Sequence, residues 1–107
     1  MSSKNIPEWF ELLNDEYEDY MNTLEELGRV VRQTGPIDEK TSHLIQLAAA
    51  AAINSEGAVH SHARRAQQAG ATVEEINHTI ILLTSTIGFP RVSAALSWAQ
   101  DLQKKCK

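Results

Sequence analysis

The residues best suited to chemistry are the serine and histidines of Ser55-Glu-Gly-Ala-Val-His-Ser-His62, with His43 upstream of them. An imidazole exchanges protons near neutral pH, and burial or a neighbouring charge tunes that exchange, so a histidine on an apolar helix face is a candidate general acid or base. Ala58, His62, Ala66 and Ala69 recur at steps of four, four and three, which places them on one helix face. His62 is therefore expected to point inward. Glu56, His60 and Arg64 share another face, so His60 is expected to point outward, with Glu56 one turn before it as a weak partner. Positions i and i+2 of a helix diverge by about 200°, which separates His60 from His62 as a metal pair. A metal site here would need other helices to complete it, and neither a metal nor a cofactor is expected.

An inward His62 has two readings. It is either a core histidine hydrogen-bonded to a carbonyl or a neighbouring side chain, or an acid–base group in a pocket walled by small alanines. With its helix antiparallel to that of His62, His43 is able to face the same pocket; a place on the surface is the equal alternative. Ser55 stands before a helix and suits its N-cap. As a nucleophile, Ser55 would need a base in hydrogen-bond reach and an oxyanion hole. A cysteine there would have its thiolate favoured by the helix dipole.

The elements that must hold these residues are helices throughout. Phe10, Leu13, Tyr17, Tyr20, Leu24, Leu27 and Val31 alternate at steps of three and four, predicting one amphipathic helix over about 7–33. Pro7 suits its first turn, Gly28 loosens it, and Thr34-Gly35-Pro36 stops it. Asp38 is expected to cap the next helix, which carries Leu44, Leu47, Ala48, Ala51 and Ala52 on its apolar side and runs to about Asn54. The helix beginning near Ser55 ends at Gly70, and Thr72-Val73-Glu74-Glu75 forms a capping box for the following one.

From Ile76 to Ile87 the β-branched content favours a strand, but the capping box and the length favour a helix. Ile76, Ile80, Leu83 and Ile87 would share one side, and Ile81 with Leu82 makes burial on several sides the expectation. Gly88 ends this helix. Pro90 opens a last one carrying Val92, Ala95, Leu96, Trp98, Ala99 and Leu102. The chain reads as a single all-α domain over 1–107 with about five helices.

Composition narrows the function classes. At 107 residues with 42% hydrophobic content but only six aromatics, the core is thin for its length, so assembly as a homo-oligomer is expected. The net charge of −4 is concentrated in acids of the first third, and no basic stripe is present, which argues against nucleic-acid binding. No apolar run reaches the roughly 18 residues of a membrane span, and no leader-like segment opens the sequence. The one cysteine, Cys106, can form neither an internal disulfide nor a cysteine-based metal cage. A cytoplasmic protein acting on a small molecule, without nucleic-acid or membrane partners, is the expectation.

Three segments carry a family resemblance: Ser55-Glu-Gly-Ala-Val-His-Ser-His62-Ala-Arg-Arg-Ala, Ala69-Gly-Ala-Thr-Val-Glu-Glu-Ile76 and Gly88-Phe-Pro90. Over about residues 36–100 the chain resembles the carboxymuconolactone decarboxylase family, whose other well-known branch is the AhpD-like alkylhydroperoxidases. The resemblance implies an AhpD-like helical fold assembled as trimers or hexamers, and a peroxidase or antioxidant activity. In the AhpD-like branch a Cys-x-x-Cys works with a histidine and a glutamate. Those cysteines fall on Ser55 and Ala58, the histidine on His62 and the glutamate on His43. Only the histidine is retained.

A serine hydroxyl neither forms a sulfenic acid nor exchanges disulfides, so the chain as written should lack thiol peroxidase activity. Cysteine at position 55 would restore a solitary-thiol reading. The decarboxylase branch resembles this chain in lacking the cysteine pair while keeping the histidine. Its chemistry implies His62 as the acid that protonates a carbanion or enolate, with His43 or Arg91 holding the substrate carboxylate. A non-catalytic oligomeric or ligand-binding module with a decayed site is the remaining reading.

Overall fold

The computed structural model describes the backbone of residues 8–106 and the side chains of residues 8–101. Pro7 and the side chains of Leu102 and Cys106 lie outside the described residues. The described residues are helical with no strand: α1 (Glu8–Glu16), α2 (Glu18–Arg32), α3 (Glu39–Ala52), α4 (Glu56–Gln68), α5 (Val73–Ile81), the single turn α6 (Thr84–Ile87) and α7 (Phe89–Cys106). They form two compact units, divided between Ile37 and Asp38.

The first unit corrects the expectation of one continuous helix over 7–33. Tyr17 adopts φ −131°, ψ 57° and separates α1 from α2. An unbroken helix would align Asp15 and Asp19 at i, i+4 across this point, where like charges repel. The break instead puts Glu18 and Asp19 in the first turn of α2, where the helix dipole favours acids. Along the anticipated seam, Tyr17, Tyr20, Leu24, Leu27 and Val31 are exposed, and Met21 is the buried residue of α2.

In the second unit the chain's own caps set the boundaries. The Asp38 carboxylate accepts from the Thr41 backbone N–H at 3.0 Å and opens α3. Asn54, at φ 60°, turns the chain between α3 and α4, and Ser55 then caps α4 by accepting from the Ala58 N–H at 3.4 Å. The Thr72/Glu75 capping box forms in both directions and opens α5. Gly88, at φ 89°, makes the last turn before α7.

The expected helix over Ile76–Ile87 is interrupted at Leu82 and Leu83. There the Leu83 N–H donates to the Ile80 carbonyl three residues back, and the Thr84 hydroxyl donates to the Ile81 carbonyl at 2.7 Å. A threonine hydroxyl competing for a helix carbonyl, in a segment dense in β-branched residues, tightens and ends the α-helical ladder. Ile76 and Ile80 are buried as anticipated, whereas Ile81 and Leu82 are exposed on the single chain.

The core gathers α3, α4, α5 and α7 around Leu47, Val59, Ile76, Ile80 and Val92, and seven of its twelve residues are alanine. Such small side chains let the helix backbones approach closely. The buried faces sit one residue from their anticipated register: His43, Leu47, Ala50 and Ala51 on α3, and Val59, Ala63 and Ala66 on α4. That shift decides where every histidine of the Ser55–His62 segment points.

Candidate functional site

On α4 the buried stripe runs through Val59, Ala63 and Ala66. At about 100° per residue, His62 lies on one flank of that stripe and His60 on the other. Neither histidine points straight in or straight out. Both are half-buried, which corrects the expectation of an inward His62 and an outward His60.

The flank that carries His62 faces α3. His43 is buried at 2% exposure, and its ring centroid lies 5.8 Å from that of His62, with the ring planes tilted by 35°. The short link through Ile53, Asn54 and Ser55 folds α4 back along α3, which is the antiparallel arrangement needed to bring the two rings together. His43 Nε2 lies 3.2 Å from Glu39 Oε2, one turn earlier on α3. A carboxylate only accepts, so Nε2 carries the hydrogen and Nδ1 is the acceptor of the neutral ring. Glu39 escaped the sequence reading, although the i, i+4 spacing of Glu39 and His43 was the available signal.

Ser55 serves as the N-cap and stands seven residues before His62, about 10 Å lower along the helix. Ala58 is the position one turn from His62. Arg91 reaches the other end of α3, where its Nη1 donates to the Ala52 carbonyl at 3.5 Å. Nine residues of α3 separate that carbonyl from His43, about 13 Å of helix. Arg91 in this position does not serve the histidine pair.

The flank that carries His60 faces α7. His60 Nε2 lies 3.8 Å from Asp101 Oδ2, and Glu56, one turn earlier on α4, completes a cluster of ligand-type atoms all within 4.8 Å of one another. Further along α4, burial of Arg64, followed by the charge of Arg65, pulls the Arg64 guanidinium below its ordinary value. Asp101 lies too far along the sequence to be matched to His60 without the packing of α4 on α7.

The second unit thus sets a half-buried His62 against a buried His43 that is braced by Glu39, with the one cysteine of the sequence, Cys106, far along the chain from that pair. The sequence profile of the carboxymuconolactone decarboxylase family matches residues 18–101, and the chain belongs to that family. The match includes α2, ahead of the 36–100 segment on which the resemblance rested. An uncharacterized protein of Methanocaldococcus jannaschii is 30% identical over 102 residues, covering 92% of this chain and 85% of that protein. No solved structure gives a significant match. Among the described residues, no helix is long and apolar enough to cross a membrane.

Proposed function

We propose that this family member performs proton transfer at His62, assisted by His43, on a small carboxylated ring substrate, as a lyase of the decarboxylase type. The observation that carries this reading is the Glu39–His43–His62 arrangement, with 3.2 Å between Glu39 and His43 and 5.8 Å between the rings. Loss of CO₂ breaks a carbon–carbon bond and leaves its electron pair on the substrate, where it delocalises toward the ring carbonyl. A proton from His62 then quenches that pair. His62 regains its proton from solvent water, and His43, whose Nε2–H is held by Glu39, supports the protonated ring of His62 as a neutral neighbour.

The alkylhydroperoxidase reading is set aside for this chain because Ser55 and Ala58 occupy the thiol positions, and peroxide reduction by that route requires a thiolate. Ser55 acts as a helix cap in the proposed mechanism, and His62 and His43 carry the chemistry. The protein would work in the cytoplasm as a homo-oligomer, trimeric or hexameric. Ile45, Ile53, Leu82 and Phe89, all exposed on the single chain, supply apolar surface for that assembly.

The experiment is CO₂ release from carboxylated lactones by the unaltered chain and by His62→Ala, with helicity checked by circular dichroism. General acid catalysis contributes about 10²–10⁴-fold, so His62→Ala should lose rate on that scale while remaining folded. Deuterium from D₂O should appear at the carbon that loses the carboxylate. Turnover that survives in His62→Ala overturns the role given to His62, and no turnover by the unaltered chain overturns the lyase reading in favour of a non-catalytic module.

A further inference from the structure

The proposed chemistry uses one flank of α4 and leaves the other unexplained. On that second flank Glu56, His60 and Asp101 converge, each offering one ligand atom, all within 4.8 Å. Among the described residues, His60 Nε2 is sealed from solvent, has no hydrogen-bond partner, and lies 3.8 Å from Asp101 Oδ2. An imidazole nitrogen hidden from water without a hydrogen bond is costly to keep, and a metal ion is a partner that could satisfy it. Glu56 and His60 are fixed at i, i+4 on α4, and Asp101 comes from α7, which packs against it.

We propose that Glu56, His60 and Asp101 form a binding site for a divalent first-row transition ion, with Zn²⁺ as its first candidate. Two carboxylates and a neutral imidazole bring two negative charges to a dication, and the nitrogen donor favours zinc-like ions over the all-oxygen preference of calcium and magnesium. In a tetrahedral site, bonds of about 2.0–2.2 Å hold adjacent ligand atoms roughly 3.3–3.6 Å apart. From 4.8 Å, the required closure is small for the exposed side chains of Glu56 and Asp101. Three protein ligands leave at least one coordination position for water. The ion would tie the start of α4 to the far part of α7, on the flank away from His43 and His62.

The test titrates the full chain with Zn²⁺ against a chromophoric chelator, and with Co²⁺ followed by its visible absorption. One ion per chain is expected. Glu56→Gln, His60→Gln and Asp101→Asn should each weaken binding by at least the roughly 10–100-fold that outer-shell changes alone cost at metal sites. His62→Gln should leave affinity unchanged. Absence of stoichiometric binding, retention of full affinity in Asp101→Asn, loss of binding in His62→Gln, or a thiolate charge-transfer band marking Cys106 as a ligand each overturns the assignment. The variants lie at exposed or half-buried positions, and circular dichroism confirms that they fold.

Discussion

Placing cysteine at position 55 tests whether the start of α4 still has the properties of a redox helix. Ser55 is the N-cap, so a thiol there meets the positive end of the helix dipole. That end contributes about 0.3–1 kcal/mol to a negative charge, and one pKa unit is about 1.4 kcal/mol, so the thiol introduced by Ser55→Cys should titrate at roughly 7.8–8.3 instead of about 8.5. At pH 7 the thiolate fraction then rises from about 3% to at most about 14%. His62 cannot lower it further by direct contact, because it stands two turns, about 10 Å, away.

A cysteine at position 58 is one turn from His62, with β-carbons about 6 Å apart, and is the thiol that the imidazole can serve. Ser55→Cys gives up a cap whose oxygen sits at a long 3.4 Å from the Ala58 nitrogen, so its cost should fall near the lower end of about 0.5–2 kcal/mol. The assay is the pH dependence of iodoacetamide alkylation, followed by peroxide consumption with a thiol reductant. The unaltered chain, whose one thiol is Cys106, is the reference. Ser55→Cys should consume peroxide slowly, and the Ser55→Cys/Ala58→Cys double variant faster. A pKa at or above about 8.5 for the new thiol of Ser55→Cys refutes the helix-terminus argument. Equal peroxide consumption by the unaltered chain refutes the argument that the missing thiol matters.

Two further outcomes follow from the fold. The Thr72 backbone N–H donates to Glu75 at 2.9 Å and Lys40 lies 3.2 Å away, and these hold the Glu75 carboxyl below its ordinary 4.5, the backbone bond first. A depressed carboxyl contributes stability above its unfolded pKa and loses it as pH falls through the folded value, so the gap between the unaltered chain and Glu75→Gln in urea melts should shrink on acidification to about pH 3. A gap independent of pH would contradict the assigned ionisation. Sedimentation of the unaltered chain should report three or six times the mass of one chain, and a monomer at all concentrations would remove the homo-oligomer from the proposed function.

Helix boundaries were legible wherever a single side chain decides them. Asp38, Ser55 and the Thr72/Glu75 box each start a helix by accepting from specific backbone N–H groups, a local chemistry written in short stretches of sequence. The breaks at Tyr17 and at Leu82–Leu83 were not legible in the apolar pattern, because periodicity does not register like-charge repulsion along α1 and α2 or a hydroxyl drawn to the Ile81 carbonyl. Helix faces were legible only to within one residue. In a segment as rich in alanine as Ala48–Ala52, adjacent faces have nearly equal apolar character, and the packing of larger residues such as Leu47, Val59 and Ile80 selects among them.

That one-residue ambiguity governs the site. Had Ala58, His62, Ala66 and Ala69 formed the buried stripe, His62 would be in the core and His60 in solvent, with a single histidine to explain. With Val59, Ala63 and Ala66 buried instead, the same sequence directs His62 toward His43 on α3 and His60 toward Asp101 on α7. One helix thereby presents two imidazoles to two different neighbours, each with a carboxylate in its surroundings: Glu39 beside His43, and Asp101 with Glu56 around His60. Their chemistry differs because their shielding differs. The first carboxylate acts through a ring that is itself buried, which suits orienting a proton, whereas the second pair remains exposed and free to close on an ion. Proton transfer and metal binding are therefore separable on this fold: a change at His62 should silence the first without touching the second.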